Sequence, residues 1–147
     1  MDQQLLLDPN VDPAELGPCI DACERCHRTC MRAAMRFALE QGGRHTEPEY
    51  FRLLIACQIV SRLTADSLLA GLPLYEHVCA LCARICRDCA AACSQLEAME
   101  ECTGACTRCA ECCEVIAATR PNPMPALPPV VAPAPRRLPR RVKRGRR

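Results

Sequence analysis

The chain has no tryptophan and only two phenylalanines and two tyrosines among its 147 residues, so the large aromatic side chains that dominate most protein interiors cannot supply this one. It also lacks a secretory signal. Acids stand in "MDQQLLLDPNVDPAEL" where a positive stretch would be needed, and the apolar run is three leucines long. No later stretch reads as a transmembrane span. Together these absences lead us to expect a cytoplasmic protein, whose thiols stay reduced. Two further absences are local: residues 120–147 hold no acid, and the stretch "CIDACERCHRTC", residues 19–30, holds no glycine or proline.

What abounds is cysteine, fifteen in a chain of one-domain length. Cys19, Cys23, Cys26 and Cys30 are separated by steps of 4, 3 and 4 residues. At about 100° per residue, those steps confine the four sulfurs to a stripe roughly 60° wide on one face of a helix. The pattern recurs in Cys79, Cys82, Cys86, Cys89 and Cys93, and again in Cys102, Cys106, Cys109 and Cys113. Three helices with thiol stripes are therefore expected. A disulfide scaffold is not, because the count is odd and a bridge within one helix constrains almost nothing.

The punctuation of the chain predicts four helices. Asp12, Pro13 and Glu15 read as a short lead-in within residues 1–17, and Gly17–Pro18 as the start of helix 1, which runs to about Gln41 before Gly42 and Gly43. Thr46 and Glu49 form a capping-box pattern for helix 2, which runs to Gly71. Leu53, Cys57, Val60 and Leu68 fall on one side of it and Ile55, Ile59, Leu63 and Leu69 on the other, so it is expected to be buried on both sides, the second by a partner subunit. Pro73 opens helix 3, which ends near Ser94; a turn around "QLEAM" leads to helix 4, ending near Thr119. Short links make this an all-α, antiparallel four-helix bundle over residues 1–119. From Arg120 the composition changes: residues 1–119 carry a net charge of −7 and residues 120–147 a net +9, with eight prolines. That segment reads as a disordered, partly polyproline basic tail.

Cysteine buries well as a small hydrophobe, and Cys57, alone on helix 2, is open to that reading. Three aligned stripes are not, since a thiol core packs less apolar volume than a leucine core and something must compensate. Clustered thiolates select Cu(I), Zn²⁺ or iron–sulfur clusters. Structural zinc and iron–sulfur sites usually gather cysteines from turns and loops, whereas these lie along helix shafts. Pairs at i and i+4 can clamp a two-coordinate ion, which Cu(I) accepts more readily than zinc. Thiolates shared between helices then make a row of sites, on the order of one Cu(I) per thiolate. Spacing alone leaves zinc open.

The alternating spacing on helices 1, 3 and 4, the CxxCxxxCxxCxxxC run from Cys79 to Cys93 and the short four-helix plan resemble the bacterial copper storage proteins, a cysteine-rich four-helix-bundle family. Without an export signal the chain is similar to the cytosolic branch. The resemblance covers about residues 12–119. It implies an interior lined by cysteine and filled with many Cu(I) ions, access at one end of the bundle, and assembly into tetramers. The candidate ligands are then Cys57 and the thirteen stripe cysteines. One departure from the family is plain: helix 2 has Ser61, Thr64 and Leu68 where further thiols could sit, so a lower capacity is expected.

Secondary candidates are Cys112, at the edge of its stripe, and Met99 and His45, which antiparallel order places at one end of the bundle, where they could receive Cu(I) and pass it inward. His27, His77, Met31 and Met35 fall off the stripes. The function expected is Cu(I) storage with no catalytic residue. The alternatives are a thiol redox or metal sensor, with Cys19 the best nucleophile because it follows Pro18 at a helix start, and a nucleic-acid-associated protein. The tail could attract polyanions through phosphate contacts, but it has neither stacking aromatics nor a recognition helix.

Overall fold

The computed structural model describes residues 11–39 and 48–119. They form four helices: α1 (Pro13–Leu39), α2 (Pro48–Ala70), α3 (Tyr75–Cys93) and α4 (Glu100–Ala118). Each packs on two neighbours, α1 and α3 both lying against α2 and α4. Side-chain pairings fix the directions. Cys19 meets Cys113 while Cys30 meets Cys102, and Cys57 meets Cys86 while Ser61 meets Cys82. Neighbouring helices are thus antiparallel, as the short links predict. The tail at 120–147, with its expected disorder, lies outside the described residues, as do Thr46 and the Gly42–Gly43 pair.

Two helix starts differ from the sequence reading. α1 begins at Pro13 rather than Pro18, because Asp12 caps it. The Asp12 Oδ1 accepts from the Ala14 amide at 2.9 Å, and its carbonyl accepts from the Glu15 amide at 2.9 Å. A proline in the first turn lacks only an amide that would have been unpaired. Pro18 lies inside the helix, which continues past it. α3 begins at Tyr75 rather than Pro73, since the chain turns at 73–74 with Leu74 in the left-handed region at φ 68°. The Leu74 carbonyl then accepts the amides of His77 and Val78 at 3.0 and 3.2 Å. The end of α2 follows the expectation. Gly71, at φ 58°, donates to the Leu68 carbonyl, and Leu72 donates to that of Ser67, the paired closure a glycine permits.

The expectation that helix 2 is buried on both sides does not hold within one chain. Its inner row, Tyr50, Leu54, Cys57, Ser61, Thr64 and Leu68, is buried. On the other side Ile59, Leu63 and Leu69 are exposed. By length and a mean hydropathy of 1.5, α2 would also pass for a membrane span, contrary to the sequence reading that no stretch does; the fold uses it as one wall of the bundle. Its inner positions step by 4, 3, 4, 3 and 4 residues, the same period that sets the thiol stripes of the other three helices. The core that results is mostly cysteine and alanine, with Leu54, Leu68 and Ile116 the largest fully buried aliphatic side chains.

Candidate metal centre

Because the cysteines of α1, α3 and α4 repeat at helical spacing, each helix turns the whole set inward. All fifteen are free thiols, fourteen buried and Cys112 half-buried. Their sulfurs are not scattered through the core. From Cys19 a step of 3.9 Å reaches Cys113, and 3.6 Å steps lead on to Cys23 and then Cys109. Cys109 lies 3.7 Å from Cys82, which lies 3.8 Å from Cys86. Cys86 meets Cys57 at 3.6 Å, and Cys57 meets Cys26 and Cys106 at 3.7 Å each. Cys106 is 3.5 Å from Cys30, Cys30 is 3.7 Å from Cys102, and Cys102 is 3.4 Å from Cys93, itself 3.9 Å from Cys89. Thirteen sulfurs form one unbroken series along the bundle axis.

The separations suit metal binding. With a metal–thiolate bond of about 2.3 Å, the zinc value, three sulfurs around one ion stand ~4.0 Å apart and four stand ~3.8 Å apart. Five groups of cysteines have all their sulfurs within 4.8 Å of one another: Cys19, Cys23, Cys112 and Cys113; Cys23, Cys82, Cys109 and Cys113; Cys26, Cys30, Cys57 and Cys106; Cys30, Cys89, Cys102 and Cys106; and Cys26, Cys86 and Cys109. Six of these thirteen cysteines, Cys23, Cys26, Cys30, Cys106, Cys109 and Cys113, belong to two groups. Shared ligands are what a row of bridging thiolates requires, and not what a set of closed, independent zinc sites would need.

Most of the candidates from the sequence are brought together here, Cys57 included. Cys112, at the stripe's edge by helical geometry, does join a group, because α1 brings Cys19 and Cys23 to it; its thiol also donates to the Cys109 carbonyl at 3.2 Å. Cys79 is fully buried but belongs to none of the groups. Met99 precedes α4, is 3 % exposed, and lines a surface groove together with Cys102. His45 lies outside the described residues. His27 donates from Nδ1 to the Gln58 carbonyl at 2.9 Å, and His77 stands beside Glu76, away from the thiols. Met31 and Met35 are exposed. Cys19, the candidate sensor nucleophile, is fully buried against Cys113 and not open to a substrate.

Two hydroxyls join the thiols that sequence reasoning did not assign to the site. Tyr50 Oη lies 3.3 Å from Cys93 Sγ, and burial followed by that contact pushes the phenol well above its ordinary range. Ser61 Oγ stands 3.8 to 4.0 Å from the sulfurs of Cys82, Cys86 and Cys109. The signal for both was available, since 50 and 61 share the period of Cys57 on α2. Proton affinities differ within the cluster. Hydrogen bonds from Cys106 and Cys30 pull the Cys102 thiol down to about 5, and its place in the first turn of α4 favours the thiolate as well. Cys93, which donates to Cys102, is pushed up by that bond and by burial.

Comparison with known proteins agrees with this geometry. Residues 12–118 match the family model described as copper storage protein. An uncharacterized cysteine-rich protein, YhjQ of Bacillus subtilis (strain 168), is 31 % identical over 102 residues, 68 % of this chain and 94 % of its own length. The crystal structure of the Nmul_A1745 protein from Nitrosospira multiformis superposes with a TM-score of 0.71 at 42 % identity, over 74 % of this chain and all of the other. The Cu(I)-bound copper storage protein BsCsp3 superposes with a TM-score of 0.64 at 30 % identity, over 70 % of this chain and 98 % of its own. With the match spanning the whole helical body that carries the sulfur series, the chain belongs to the copper storage protein family.

Proposed function

We propose that this protein is a cytosolic Cu(I) store that holds many ions as shared thiolates inside its bundle and has no catalytic role. The observation that carries the reading is the unbroken series of thirteen sulfurs with steps of 3.4 to 3.9 Å. One catalytic or sensing ion would need three or four ligands, and those would not have to be shared. Free, buried thiols suit a reducing compartment. The cargo enters at the Met99 end, where Met99 and Cys102 line a surface groove, while at the other end Leu68 and Ile116 are fully buried. The open apolar side of α2, with Ile59, Leu63 and Leu69, is where a second copy packs, consistent with a homo-oligomer such as a tetramer. The arginine-rich tail is suited to polyanions.

Anaerobic titration of the reduced protein with Cu(I), against a competing chelator, tests the central claim. Storage by shared thiolates gives roughly ten or more tightly held equivalents per chain. Saturation at one or two would overturn it.

A further inference from the structure

Two adjoining grooves lie between α1 and α4 on the outside of the bundle. One, of about 260 Å³, has Met99 and Cys102 among its lining residues, beneath Arg32 and Arg36. The other, of about 490 Å³, is lined by Arg25, Arg28, Thr29, Met31, Arg32 and Glu101. Thr29, Arg32 and Glu101 line both, so the two share a wall. Arg25, Arg28, Arg32 and Arg36 step by 3, 4 and 4 residues and share one exposed face of α1. Among the described lining residues the acid is Glu101, which pairs with Arg32 at 2.9 Å, and Arg36 also has a partner, so the charge of Arg25 and Arg28 carries most of the excess. A cationic groove thus crosses a body whose net charge over residues 1–119 is −7.

The two chemistries of this groove point to different parts of one ligand. Its floor offers soft donors, the Met99 thioether and the Cys102 thiol, both nearly buried. Its rim offers guanidinium groups, which recognise carboxylates by paired hydrogen bonds. A bare copper cation would be repelled by such a rim. A copper ion carried on a small thiol that bears carboxylates would be attracted by the rim and delivered to the floor. The larger groove has the volume of a small-molecule site rather than of a protein interface.

We propose that the α1–α4 groove is a docking site for an anionic complex of Cu(I) with a small carboxylate-bearing thiol, from which Cys102 takes the ion. This rests on the storage reading and adds the form in which cargo arrives. The transfer is ligand exchange. A bond forms between the Cys102 thiolate sulfur and copper, the bond from copper to the carrier's sulfur breaks with its electron pair going to that sulfur, and the departing carrier thiolate takes a proton from water. Copper remains Cu(I) and no electron moves.

The test compares uptake rates of the reduced full chain from two donors, the Cu(I)–glutathione complex and the Cu(I)–acetonitrile complex, whose ligands are neutral. Replacing Arg32→Gln and Arg36→Gln together is expected to slow uptake from the glutathione complex about tenfold, the low end of electrostatic steering. Uptake from the acetonitrile complex should not slow. The charge-keeping pair Arg32→Lys and Arg36→Lys should stay near the wild-type rate, and the wild-type rate from glutathione should fall as salt is added. An unchanged rate from glutathione in the Gln variant overturns the proposal, and so does equal slowing with both donors. A capacity of one or two ions from either donor would sink the storage reading instead.

Discussion

Cys26 touches more of the sulfur series than its neighbours do. Its Sγ lies within 4.0 Å of those of Cys30, Cys57, Cys86 and Cys106, and it belongs to two of the five groups. Cys26→Ser removes a ligand from both at once, so the copper capacity should fall by about two ions, whereas Cys79→Ser should cost less than about one. Native mass spectrometry of the copper-saturated variants reads the difference directly, and equal losses would mean that the groups do not describe the filled protein. The inward placement of both residues was legible in the sequence, because a helical period fixes which side a residue faces. Their different roles were not. By the antiparallel register that pairs Cys57 with Cys86 and Ser61 with Cys82, Thr64 stands opposite Cys79, so a stripe position can still lack a thiol partner. Cys112 shows the reverse case, a residue at the edge of its stripe brought into a group by the approach of α1.

At the scale of elements, α2 is the wall that departs from the rest. It keeps the 4–3 spacing of the thiol stripes but fills it with Tyr50, Leu54, Cys57, Ser61, Thr64 and Leu68, all buried. Ser61 differs from cysteine by one atom and already stands 3.8 to 4.0 Å from three sulfurs. Ser61→Cys should therefore raise the capacity by about one ion without disturbing the fold, the substitution being close to volume-conserving. A chelator-competition titration that finds no added tight equivalent would show that this wall limits the store by geometry rather than by donor type. The four helices themselves were legible from glycines, stripe lengths and link lengths. The starts of α1 and α3 were less so, since Asp12 with Pro13 and Gly17 with Pro18 are both plausible openings, and only packing chooses between them. The exposure of Ile59, Leu63 and Leu69 was beyond the sequence, which shows that a side is apolar but not which chain covers it.

For the whole molecule, proton affinity and cargo compete for the same sulfurs. Cys109 is pushed up from 9.0 to about 11: its contacts with Cys113 and Cys23 pull it down, but those with Cys26 and Cys82, together with burial, outweigh them. Cys93, Cys106 and Cys113 are also raised, each through a hydrogen bond to a neighbouring thiol and through burial. A thiol whose pKa rises on folding stabilises the fold below its unfolded value and loses that contribution as the pH climbs through its folded value. Cys102, lowered to about 5, acts in the opposite sense, stabilising above 9.0 and losing that contribution as the pH falls through its folded value. The raised thiols set the alkaline limit of the metal-free protein, whose Tm should fall between pH 9.0 and about 11. Copper loading removes the dependence, because the ligands are already deprotonated and their charge is balanced by the ions. Calorimetry of the two forms across that range checks this, and a level Tm for the metal-free protein would count against it.

The sulfur series also sets an order of turnover. With entry proposed at the Met99 end, ions advance by handing over from one thiolate to the next in file, toward the group of Cys19, Cys23, Cys112 and Cys113. Such a reservoir works as a stack, in which the ion received last is the first to leave and the deepest ion waits for every other. Under that route scarcity and recovery are met by the copper at the Met99 end, and the copper around Cys19 and Cys113 turns over last.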